Sequence, residues 1–158
     1  MRVAPVDAQL RPALLRLRVQ PEQRDYVGHI ADLLADAACC PQSESMAILH
    51  DDTPVGYYRI EPNARCIAGH DFGAPALGLR GFFIDADWQG RGWGGVALTA
   101  LLADLAARRE WARLLVLGVA RNNLAAMRLY RRAGFGDSCA LYHGGRSGAQ
   151  LLLLRALP

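Results

Sequence analysis

The chain has 158 residues, of which 52% are apolar and 21% charged, an ordinary globular composition that suffices for one core without covalent staples. Its formal net charge of +3 is too mild to mark a nucleic-acid partner, and its four cysteines, Cys39, Cys40, Cys66 and Cys139, have neither the spacing nor the histidine neighbours of a zinc site. Met1 to Pro5 open no long apolar stretch and Leu151–Leu154 is too short to cross a bilayer, so the sequence predicts a soluble, cytoplasmic single domain over 1–158 with reduced thiols and no bound metal.

Arg2 to Val6 reads as a first strand. Asp7 is placed to cap a helix running to Val19, with Leu10, Leu14, Leu15 and Leu17 as its apolar stripe and Pro12 in its opening turns. After a loop at Gln20–Arg24, the spacing of Val27, Ile30, Leu33, Leu34 and Ala37 predicts a second helix over Tyr26–Ala38. Met46–His50 and Val55–Glu61 form a hairpin around the turn Asp51-Asp52-Thr53-Pro54, and Pro62–Pro75 is irregular. Leu77–Ile84 is a strand, Asp85–Trp88 a loop, and Gly94–Arg109 a helix. Leu114–Ala120 is a dense apolar run, the pattern of a strand covered on both faces. Asn123–Ala133 is helical and stopped by Gly134; Cys139–His143 and Gln150–Arg155 are strands of a last hairpin. Together these elements specify a mixed α/β sheet with a βαβαβ-like stretch between residues 77 and 143.

Between a strand and a helix lies Gln89-Gly90-Arg91-Gly92-Trp93-Gly94-Gly95. Gly90, Gly92 and Gly95 satisfy the dinucleotide-binding GxGxxG spacing, and Glu110 follows at the distance of the ribose-binding acid. That reading fails on placement, because Glu110 precedes the second strand instead of ending it, and too few βα units surround the loop. A longer pattern fits. Phe82-Phe83-Ile84, a short loop, then Gln-x-x-Gly-x-Gly at 89–94 opens a helix; downstream, Asn123-x-x-Ala126-x-x-x-Tyr130 is followed by Gly134-Phe135. In this order, with one helix and one strand between, the two motifs resemble those of the GNAT superfamily of N-acetyltransferases over nearly the whole chain.

The resemblance implies a central sheet that is mostly antiparallel, of about six to seven strands with about four flanking helices, in which 77–84 and 113–120 splay apart. It implies acetyl-coenzyme A as co-substrate and direct transfer of acetyl to a primary amine within one ternary complex. The pyrophosphate would lie on the helix amino terminus at Gln89, Gly90, Arg91, Gly92, Trp93, Gly94 and Gly95, where free N–H groups and the helix dipole favour an anion; Arg91 either adds charge at the rim or is solvated. Backbone groups of Phe82, Phe83 and Ile84 would bond the pantetheine arm as a strand would, with an N–H there facing the thioester oxygen, and Asn123 would bond the arm from the other side. Tyr130 would return a proton to the departing thiolate.

The base that deprotonates the amine is less defined. Residues 77–84 carry no acid but do carry Arg80, which could hold a substrate carboxylate or pair with an acid. Glu61 is the first choice, with Glu44, Asp71, His70 and His50 as alternatives. The amine pocket is expected from the loop at Gln20–Tyr26, the second helix and the hairpin tip Tyr142–Gly148. Pro21 to Pro41 with the Met46–Tyr58 hairpin is loosely similar to the polyamine and diamine branch of the family, and Asp25, Asp32, Asp36 and Glu44 could attract a polycation or be a solvated face. A peptide or protein N-terminal acetyltransferase and a coenzyme A sensor without turnover are the alternatives; no nucleic-acid or membrane partner is expected, and a homodimer is left open.

Overall fold

The computed structural model describes residues 1–145 and 148–158. Its strands are β1 (Arg2–Pro5), β2 (Glu44–His50), β3 (Thr53–Glu61), β4 (Ala76–Ile84), β5 (Leu114–Ala120), β6 (Gly136–Gly145) and β7 (Gly148–Ala156). Its α-helices are α1 (Arg11–Leu14), α2 (Arg24–Val27), α3 (Ile30–Ala38), α4 (Arg65–Ala68), α5 (Trp93–Arg108) and α6 (Leu124–Arg132). The strands form one sheet in the order β1-β2-β3-β4-β5-β7-β6, antiparallel except for the parallel pair β4–β5.

Three expected features change in the amino-terminal part. The helix expected over Asp7–Val19 is reduced to α1. Asp7 does act at its start, its Oδ1 accepting from Leu10 N at 2.8 Å. After Leu14 the ladder tightens into single turns, Arg16 N–H donating to Ala13 O and Leu17 N–H to Leu14 O. Arg18 does not resume it because it is held from outside: its N–H donates to Asp85 Oδ1 at 2.8 Å and its carbonyl accepts from Ala86 N at 2.7 Å. A residue whose backbone groups serve another segment cannot continue a helical ladder.

The helix expected over Tyr26–Ala38 is broken at Gly28 (φ +86°) into α2 and α3. The apolar period reads across the break because Val27, Ile30 and Leu34 all pack on one cluster with Leu14, Tyr57 and Phe83. The stretch expected to be irregular after β3 contains α4, a single turn ended by Gly69 (φ +79°). The last hairpin has longer strands than expected, and Arg146 and Ser147 between them lie outside the described residues.

Each face of the sheet is covered. Alternation along β2 sends Met46 and Ile48 to a cluster with Leu98, Leu101 and Leu105 of α5, and Ala47 and Leu49 to the cluster under α1 and α3. Between β3 and β4 the register passes from Tyr57↔Phe83 to Arg59↔Arg80, so β4 carries one extra residue. Gly81 in this bulge has φ +61°, a backbone conformation that suits glycine. The bulge bends β4 where its pairing with β5 stops. The two strands match only from Ala76↔Leu114 to Leu79↔Leu117. Beyond that, Arg80–Ile84 and Gly118–Ala120 part, as the splay expected from the sequence requires.

Candidate active site

The parted strand ends form the floor of a cleft of about 680 Å³. One wall is β5 and the start of α6; the other is Tyr26 to Asp36 with Tyr57 and Arg59 of β3. A second hollow of about 260 Å³ is lined by Phe82, Phe83 and Ile84 and by the glycine loop. Phe82, Asn123, Ala126 and Tyr130 border both, so one long ligand could lie from the loop to the cleft.

The loop has the geometry an anion needs. Gly92 is the residue before α5 and sits at φ +80°. Among the described residues, the N–H groups of 90–94 donate to no backbone carbonyl. A Cβ added at Gly90, Gly92 or Gly95 would meet nothing within 4 Å, which leaves the space over these groups open to a ligand. Gly94 differs: a Cβ there would stand 3.3 Å from Leu129, so it lets α5 and α6 approach each other. Arg91 is exposed at the rim. The Trp93 ring turns onto His50, with centroids 5.0 Å apart, and onto Trp88, at 6.1 Å. The Gln89 carboxamide is committed within the protein, donating to Ile84 O at 2.7 Å and to Gln23 Oε1 at 2.9 Å.

These parts fit the arm and pyrophosphate of a coenzyme A molecule: free N–H donors at a helix start, and a strand, Phe82–Ile84, with no β5 partner along its open edge.

Asn123 and Tyr130 stand on the β5 side. Asn123 caps α6, its Oδ1 accepting from Ala126 N at 3.3 Å, which leaves its NH₂ available to the cleft. Tyr130, 8% exposed, is held edge-on between Phe82 (6.2 Å) and Phe135 (5.7 Å). Burial raises its pKa above the usual phenol range, so its proton is retained at neutral pH.

Glu61 lies elsewhere. It is 3% exposed, accepts from Ser43 Oγ at 2.5 Å, stands 2.6 Å from Arg59 Nη2 and 3.7 Å from Arg80 Nε, and does not line the cleft. Arg59 also binds Asp36 of α3. Burial opposes the charge on Arg59, but the bond to Asp36 and the charge of Glu61 outweigh it and raise the arginine's pKa. Glu61 is thus the inner end of a chain of charges that fastens α3 to the sheet.

Replacing Arg59 by Leu strands a buried carboxylate and is expected to lower stability by about 3–5 kcal/mol, read by urea unfolding. Adding Glu61→Gln should recover part of the loss. Equal stability in Arg59→Leu and the parent would remove this anchoring role.

None of the alternative bases borders the cleft either. Glu44 binds Arg108 and Arg109 at 2.9 and 3.1 Å, Asp71 binds Arg65 at 2.9 Å, His70 sits against the Asp71 carbonyl, and His50 lies against Trp88 and Trp93. The titratable groups that do line it include His29, Asp32 and Asp36. The two aspartates were visible in sequence as a charged helix face. His29 was not singled out; its signal is the preceding Gly28, which breaks the helix and places the imidazole at the head of α3. Of the residues expected around the amine, Tyr26 and α3 line this cleft, whereas Arg146 and Ser147 of the expected tip Tyr142–Gly148 lie outside the described residues.

Comparison with known proteins agrees with this geometry. The model of the Acetyltransferase (GNAT) family matches residues 10–135. The spermine/spermidine N(1)-acetyltransferase of Bacillus subtilis (strain 168) is 32% identical over 127 residues, covering 79% of this chain and 80% of that protein. Among solved structures, aminoglycoside acetyltransferase AAC(6')-Ib in complex with coenzyme A superposes with a TM-score of 0.70 at 17% identity, covering 98% of this chain and 94% of that one. An acetyltransferase from Thermus thermophilus does so with a TM-score of 0.68 at 23% identity, covering 99% and 98%.

Proposed function

This chain belongs to the GNAT family of acetyltransferases and transfers acetyl from acetyl-coenzyme A to an amine, and from that premise we propose that its acceptor is a small aliphatic polyamine met in the cytoplasm. The observation that carries the choice of acceptor is the pair Asp32 and Asp36, one helical turn apart on α3 and both on the cleft wall. Asp36 is held by Arg59, whereas Asp32 has no ion-pair partner among the described residues and is free to receive an ammonium group. Tyr26, partly exposed on the same wall, supplies aromatic surface for the methylene spacers. The relative named for spermine and spermidine supports the same class.

Bound acetyl-coenzyme A supplies an activated thioester. The protein's residues do the rest. The loop at 89–95 holds the pyrophosphate, Phe82 to Ile84 and Asn123 align the arm, and an N–H of β4 faces the developing oxyanion. His29 takes the ammonium proton, directly or through water, since imidazole is the usual proton carrier near neutral pH. As the C–S bond breaks, Tyr130 gives its hydroxyl proton to the departing sulfur and regains one from the acylated nitrogen, which sheds its extra proton through water to leave the neutral amide.

Thiol release measured with spermine, spermidine, butylamine, an aminoglycoside and short peptides tests this reading. Spermine or spermidine should give the highest kcat/KM. Asp32→Asn should raise the spermine KM about fivefold, the effect of one exposed ion pair, with the coenzyme KM unchanged. A peptide used better than any polyamine would replace the proposal with N-terminal acetylation, and coenzyme binding without release on any amine would replace it with a sensor.

A further inference from the structure

Gln89 and Gln23 hold each other by both halves of their carboxamides. Gln23 Nε2 donates to Gln89 Oε1 at 3.0 Å, and Gln89 Nε2 donates to Gln23 Oε1 at 2.9 Å. Each end of this clasp is rooted. Gln89 Nε2 also donates to Ile84 O at 2.7 Å, the last residue of β4. Gln23 Oε1 also accepts from Gln20 N at 3.2 Å, and Gln20 Nε2 donates to Ala86 O at 3.3 Å. The clasp therefore joins the first residue of the anion-binding loop to the residue that leads into α2.

What it holds on the α2 side is weak by itself. α2 is a turn of four residues, preceded by a three-residue 3-10 turn and ended by Gly28. A lone helical turn is not stable without outside contacts. Yet α2 carries Tyr26, which borders both the coenzyme hollow and the acceptor cleft, and it leads directly to His29 and α3. The side-chain hydrogen bonds that tie 20–23 to the loop region run through three glutamines.

We propose that the Gln23–Gln89 carboxamide pair transmits occupancy of the coenzyme loop to the acceptor wall, making Gln23 a positioning residue for Tyr26 and His29. An anion seated at 90–95 restrains the loop and with it Gln89. The reciprocal bonds then restrain Gln23, and α2 is ordered before an acceptor arrives. Because linkage is reciprocal, an acceptor on the wall favours the coenzyme by the same factor. Two neutral hydrogen bonds are sufficient for a coupling of about tenfold. The inference rests on the reading of 89–95 as the coenzyme loop.

Hydrogen exchange of the whole chain with and without coenzyme A tests it and needs no acceptor. In the parent, coenzyme A should slow exchange at 89–96 and, by about tenfold, at 24–34. In Gln23→Ala the slowing at 89–96 should persist while that at 24–34 disappears. Gln23→Leu, which keeps the side-chain bulk, should behave the same way and serves if Gln23→Ala does not fold. Slowing at 24–34 that survives both substitutions would overturn the proposal, because the coenzyme would then order α2 by direct contact. Slowing at 89–96 alone in the parent would overturn it as well. No slowing at 89–96 in the parent would remove the loop reading, and the inference with it.

Discussion

Tyr130→Phe is expected to lower kcat by about 10²–10³-fold while coenzyme A affinity stays within about twofold. The substitution removes one oxygen and keeps the ring, so the edge contacts with Phe82 and Phe135 survive and the fold should not change. A thiolate leaving into a buried site has few proton sources, and Tyr130 borders the cleft from the β5 side where the arm would end. The pH profile gives a second reading. Burial raises the hydroxyl above its ordinary value of 10.0, which favours the protonated, donating form to higher pH. The rate should therefore climb as the acceptor amine loses its proton and should not fall as pH passes about 10, where a solvated phenol ionises. Unchanged turnover in Tyr130→Phe would take this residue out of the proton transfer.

Gly92→Val is expected to abolish coenzyme binding, a loss of about 100-fold or more in Kd by calorimetry. Gly92 sits at φ +80°, where a β-branched residue is strained, and its side chain would project into the open space above the N–H groups of the loop. Relaxing that strain would turn the amides away from their common target. Gly92 is exposed, so the substitution breaks no core contact, and the strain at this φ should lower the thermal midpoint by only a few degrees. Gly94→Ala is the useful comparison: its φ is ordinary, the helix gains propensity, and the Leu129 methyl 3.3 Å away need shift only slightly, so stability should stay near the parent's. Normal coenzyme binding by Gly92→Val would mean that the anion is held somewhere other than this loop.

The sheet, the glycine loop and α6 were legible because their signals are local. The period of 2 in β2 and β3, the dense run in β5, and a glycine cluster ahead of a helix each depend on a few neighbouring residues. The splay was implied by the family resemblance; its physical cause, the bulge at Gly81, is a register shift between two strands that one strand's pattern does not reveal. The shortened α1 has a similar origin. Nothing between Asp7 and Val19 announces that Asp85 and Ala86 will take both backbone groups of Arg18. The expectation for Glu61 went astray for the same kind of reason. A lone acid near a strand end reads as available, yet Arg59, two positions back, already faces it and Ser43 crosses from before β2. Long-range partners decide such cases, and a single sequence does not name them.

The short parallel join between β4 and β5 also divides the molecule along the chain. All strands before it, with α1 to α5, come from residues up to Arg108; all strands after it, with α6, come from Leu114 onward. The first segment carries the glycine loop with Asp32 and Asp36, while the second carries Asn123 and Tyr130, so on the proposed reading neither holds every group the reaction needs. The proposed reaction then depends on two contiguous lobes staying docked, through a four-pair hem and the packing of α5 on β5.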